Sequence, residues 1–151
     1  MHKYVALIDS NRWDTINGLW TVIKNDMYIP DIIYLLAEKN KEEIEDDLID
    51  DFKAILNEYD INSEVETHIL NNGLEDLEEI VGDEGSKAAL DITGGTKHLA
   101  ARVLANIPTS SFDHIFCLSI DEDIDPRRPL PTIDMRKIEM EDLKNQSREV
   151  R

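Results

Sequence analysis

The sequence predicts an α/β fold. It is a Rossmann-like, doubly wound, mainly parallel sheet in the strand order 3-2-1-4-5, with helices on both faces and a C-terminal loop or edge hairpin. Short apolar runs alternate with stretches of helical period along most of the chain. Most of those runs are apolar at successive positions, as strands covered on both faces are. Right-handed crossovers between parallel strands leave few topologies, and this order is the natural one.

The first strand is "KYVALID", Lys3 to Asp9, ending at polar Ser10 and Asn11. From Trp13 to Asp26 the apolar positions Ile16, Leu19, Trp20, Ile23 and Met27 make one helical stripe. Pro30 opens the second strand, Asp31 to Ala37. Ile44, Leu48, Phe52, Ile55, Leu56 and Tyr59 then form the cleanest amphipathic helix. Ser63 to Leu70 reads as a third strand. Leu74, Leu77, Ile80 and Val81 give a shorter helix closed by Gly82 and Gly85. "SKAALDI" is the fourth strand, Thr96 to Ile107 the fourth helix, and "FDHIFCLSI" the fifth strand, with Pro108 between them. Beyond Ile120 come three prolines and the alternating "TIDMRKIEM", read as a loop and an edge hairpin. Residues 1–143 are expected to form one domain, and 144–151 a polar tail or linker.

Composition sets the outer limits. At 151 residues the chain is long enough for one proper core. Its net charge is −17, which opposes duplex nucleic acid and anionic membranes because both must be met by cations. A small anion held by backbone N–H groups and a few local cations stays compatible. The acid is concentrated in "EKNKEEIEDDLIDDF" and "LEDLEEIVGDEG", both read as solvated helix faces. No apolar run reaches the roughly 20 residues of a membrane span, and the N-terminus lacks a signal-peptide layout. A cytoplasmic location is therefore expected. Cys117, the single cysteine, lies in an apolar run and is expected to be a buried structural thiol. The scattered histidines show no ligand spacing, so neither a metal nor a cofactor is expected.

In this strand order the first and fourth strands are neighbours, and ligands of open α/β sheets bind beyond their carboxyl ends. The most unusual loops fall there: "DSNRW", Asp9 to Trp13, and "DITGGTKH", Asp91 to His98. Gly94 and Gly95 suit a left-handed backbone or the close approach of a ligand. Thr93 and Thr96 add hydroxyls, Lys97 adds a cation, and the fourth helix presents the free N–H groups of its first turn. The pattern is neither the triphosphate-binding loop nor the dinucleotide fingerprint. The plain alternative is a strand-to-helix turn with glycines for geometry and Thr96 as N-cap.

Asp91, Thr93, Gly94, Gly95, Thr96 and Lys97, following a strand that ends in Ser10-Asn11, resemble the CARF domains. These are the CRISPR-associated Rossmann-fold sensors. The element order matches over most of the chain, and "RPLPTI", Arg128 to Ile133, resembles the tail of such domains less specifically. Members of that family bind cyclic oligoadenylates, second messengers of type III CRISPR antiviral defence, across a homodimer axis. The resemblance implies a ligand site of Ser10, Asn11, Thr93, Gly94, Gly95, Thr96 and Lys97, with cyclic tetra-adenylate the favoured ring. Arg12, at the start of the first helix beside it, is placed to add a cation for a phosphate. Most members carry a fused effector, for which this chain leaves no room. A metal-independent ring nuclease with Ser10 and Lys97 as catalytic residues is one expectation. Others are a non-catalytic sensor serving a partner, or one domain of a longer effector. From another class, an acidic protein-interaction module without a nucleotide ligand also fits.

Weaker candidates flank this set. His98 can serve as an acid or base, or simply sit on a helix surface. His68 and His114 fit satisfied strand positions, and His2 is terminal. Trp13 suits either a base stack or the core, and Arg127 and Arg128 either cover the crevice or face solvent.

Overall fold

A computed structural model describes residues 1–8, 11–38, 45–70, 74–82 and 87–145. Six strands form one sheet: β1 (His2–Leu7), β2 (Ile32–Glu38), β3 (Glu64–Leu70), β4 (Lys87–Asp91), β5 (His114–Ile120) and β6 (Ile138–Asp142). Their order is β3-β2-β1-β4-β5-β6. The first five run parallel, and β6 pairs antiparallel with β5, Ile120 facing Ile138 and Phe116 facing Asp142. The fold is thus Rossmann-like and doubly wound, and the expected C-terminal edge element is a sixth strand.

Among the described residues four α-helices cover the sheet: α1 (Arg12–Lys24), α2 (Glu45–Glu58), α3 (Glu75–Val81) and α4 (Lys97–Asn106). Side chains of a strand alternate between faces, and the two cores follow from that alternation. Tyr4, Ala6 and Ile8 of the first strand and its exit pack with Ile33 and Leu35 beneath α1 and α2. Val5 and Leu7 pack with Leu90, Leu77 and Leu99 beneath α3 and α4. Each helix supplies one apolar stripe, such as Leu48, Phe52, Ile55 and Leu56 of α2. Burying Phe52 alone is worth about 1.5–3 kcal/mol.

Edge position explains the less apolar strands. β3 borders the sheet: Glu64 and Glu66 are exposed, Val65 and Thr67 to Ile69 are half-buried, and only Leu70 is buried. Cys117 of β5 is half-buried rather than buried, because only short β6 lies beyond it; burial still pushes its thiol pKa up. The segment between β5 and β6 folds back onto α1, burying Leu130 and Ile133. Asn17 of α1 anchors it, donating from Nδ2 to the Arg128 carbonyl at 2.8 Å. Among the described residues no helix is long and apolar enough to cross a membrane. Residues 146–151 of the expected tail lie outside the described residues.

Candidate functional site

β1 and β4 lie side by side, Ala6 level with Asp91, so the loops that follow them leave the same end of the sheet. The turn after β4 is held by its own side chains. Asp91 is buried, and one of its carboxylate oxygens accepts the Thr93 N–H at 2.9 Å while the other accepts the Tyr4 hydroxyl. Burial pushes the Asp91 carboxyl above its ordinary pKa, against the opposing pull of the bonds from Thr93 and Tyr4. Burial, and then the neighbouring Asp91 charge, raise the Tyr4 hydroxyl well above its usual range, so Tyr4 is the donor of the pair.

Beyond Asp91 one more backbone bond joins β4 to β5, and then a side chain takes over the pairing. The Ile92 N–H reaches the Phe116 carbonyl at 3.0 Å, and the Thr93 hydroxyl oxygen accepts the Leu118 N–H at 2.9 Å. Thr96 caps α4, its hydroxyl oxygen accepting the Leu99 N–H at 3.0 Å.

Gly94 and Gly95 do not hold left-handed backbone, contrary to one part of the expectation. Close approach explains them instead. A Cβ on Gly94 would lie 2.5 Å from the Leu7 carbonyl oxygen and closer still to the Thr15 hydroxyl. One on Gly95 would lie 2.8 Å from the Leu7 Cβ. What the glycines demonstrably admit is the end of β1 and the first turn of α1.

The remaining candidates divide. Lys97 and His98 are exposed at the start of α4, and Lys97 is the cation that the turn presents to solvent. Asn11 caps α1, accepting the Trp13 N–H at 3.1 Å, so its side-chain oxygen is committed to the fold. Arg12 turns toward α2, with Nη1 3.5 Å from Asp51 and its guanidinium 5.0 Å from the Trp13 ring centre. Asp9 and Ser10 lie outside the described residues. Arg127 is exposed and pairs with Asp125 of its own loop, and Arg128 bonds Thr132. His114 stacks on Phe116 and bonds Asp142 at 2.7 Å; His68 packs against Tyr34. Among the described residues, no group of three or more His, Cys, Asp or Glu side chains is arranged to hold a metal ion.

Sequence reasoning passed over the groups that position the turn: Tyr4, Thr15 and Gly18. A Cβ on Gly18 would collide with the Asp91 carboxylate, which is why α1 can cross so near β4. A glycine within an otherwise periodic helix was the available signal. No family model matches the chain, and no curated protein matches it.

Proposed function

We propose that this chain binds a cyclic oligoadenylate, with cyclic tetra-adenylate the favoured ring, at the carboxyl ends of β1 and β4, as its resemblance to the CARF domains implies. The observation that carries the reading is the turn from Thr93 to Lys97. It sits at the switch point of the sheet, tied down by hydrogen bonds, with Lys97 exposed beside the first N–H groups of α4. A turn fixed before the ligand arrives loses little entropy on binding it. A ring of repeated phosphates matches two copies of such a crevice, so the reading includes a homodimer about a two-fold axis.

Cleavage extends the same reading. A ribose 2′-oxygen attacks the adjacent phosphorus as the bond to the 5′-oxygen breaks, leaving a 2′,3′-cyclic phosphate and a 5′-hydroxyl. Positioning and charge stabilisation supply the rate. Asn11, Thr93 and Thr96 already serve the fold through their side-chain oxygens. The chemistry therefore rests on Ser10 to orient the ribose and Lys97 to stabilise charge on the phosphorane.

Calorimetry with cyclic tri-, tetra- and hexa-adenylate tests binding. Heat with one ring, at one ring per two chains, is expected. No heat with any ring leaves the acidic interaction module as the better reading. Chromatography after incubation with cyclic tetra-adenylate and chelator tests cleavage: linear di-adenylate ending in a cyclic phosphate supports a ring nuclease, and intact ring leaves a sensor.

A further inference from the structure

A groove of about 250 Å³ runs between α1 and α2, lined by Trp13, Trp20, Asp51, Ala54, Glu58 and Pro129. Its floor is apolar, formed by the buried Ile16 and Ile55. One end holds a cation of this chain, since the Arg12 guanidinium lies over Trp13 and pairs with Asp51. That arrangement combines an indole face and a carboxylate around one positive charge.

Both partners recur two helical turns further on. Trp20 follows Trp13 by seven residues, and Glu58 follows Asp51 by seven. Since α1 and α2 each return between parallel strands on one face, they run in the same direction, and the second indole and carboxylate line the same groove. Here no cation of the described residues completes the set. Among the described residues no ion pair reaches Glu58. Lys24, in the last turn of α1, instead directs its Nζ to the Met135 sulfur at 3.5 Å.

We infer that the Trp20–Glu58 end of this groove takes an arginine side chain from a basic segment of a partner protein. Charge decides the occupant. The chain carries −17, and a second copy would bring its own acidic α2 to the same place. A guanidinium stacks on an indole and meets a carboxylate edge-on, and its methylene stem suits an apolar floor. Ala54, small and exposed, leaves the way in between the helices.

The test titrates the full chain with an amidated arginine–leucine hexapeptide and its citrulline counterpart, following tryptophan emission and the anisotropy of a labelled peptide. Saturable binding of the arginine peptide is expected, weaker by about fivefold or more for citrulline, for Glu58→Gln and for Trp20→Leu. Glu78→Gln on α3, across the sheet, should bind as the unchanged protein does. Because Glu58 is exposed, its substitution decides the matter even if Trp20→Leu unfolds. Equal binding by Glu58→Gln, an equal loss in Glu78→Gln, or no saturable binding overturns the inference.

Discussion

The Tyr4 hydroxyl donates to the Asp91 carboxylate inside the core, at the seam where β1 and β4 run side by side. Asp91 therefore joins the central strand to the turn, because its other oxygen holds the Thr93 N–H. Replacing it with alanine strands two donors in the interior, and Asp91→Ala should lose about 2–4 kcal/mol in urea unfolding. Asp91→Asn keeps an acceptor and should lose less. Their pH behaviour differs as well. Burial raises the folded pKa of Asp91, so its contribution is full below the unfolded value near ~3.9 and is lost as pH rises through the raised one. Urea midpoints of Asp91→Asn across that window should be flatter than those of the unchanged chain. Parallel curves would show that Asp91 ionises without cost.

Gly94 is required by packing, and Gly94→Ala should therefore destabilise by about 1–3 kcal/mol through overpacking. Relief by Thr15→Ala should be partial only, since the Leu7 carbonyl oxygen stays 2.5 Å from the new Cβ. Thermal unfolding of the single and double variants measures this. Full rescue in the double variant would mean that β1 moves aside freely.

Strand order was legible because β1, β2 and β4 are apolar at successive positions and the helices between them are periodic. The cap at Thr96 and the placement of the turn at the switch point followed from local chemistry. The roles of Thr93 and the glycines were not legible. Thr93 is committed to Leu118, twenty-five residues away, and Gly94 to Leu7 and Thr15 across the sheet. Such contacts depend on which strands become neighbours, which local sequence does not encode. Arg12 illustrates the same limit: it was expected at the crevice, and its partner Asp51 lies on another helix.

The opposite end of the sheet carries a carboxylate whose contribution has the reverse pH sense. Asp142 accepts His114 Nδ1 at 2.7 Å, Asn145 Nδ2 at 2.5 Å and the Ile115 N–H at 3.1 Å, tying β6 to the start of β5. Burial alone would raise its carboxyl, but these donors outweigh it and hold the folded pKa below the ordinary value. Its contribution is therefore full above the unfolded pKa and is lost as pH falls through the folded one. Asp142→Asn should cost about 1–3 kcal/mol at neutral pH. The two proteins should converge in stability once the pH falls below that lowered folded pKa. A difference that persists undiminished in acid would assign the loss to packing.

Thr96 and Lys97 are adjacent, and the geometry separates their effects. Thr96 caps α4 through its hydroxyl, so Thr96→Ala should lower stability by about 1 kcal/mol with or without ligand. Lys97 is exposed in the first turn of the helix, where a cation does not favour the helix dipole. Lys97→Ala should therefore leave the melting temperature unchanged or slightly raised. On the proposed reading it should also weaken cyclic tetra-adenylate by about 1.5–3 kcal/mol, the worth of a charge-assisted contact to phosphate. Salt sharpens the contrast, because a contact of this kind weakens as ionic strength rises and a cap does not. Calorimetry and thermal unfolding of both variants at low and high salt supply the comparison. A Lys97→Ala chain that binds the ring as tightly as the unchanged one at low salt would remove lysine from the site. The turn would then stand as a means of joining β4 to α4.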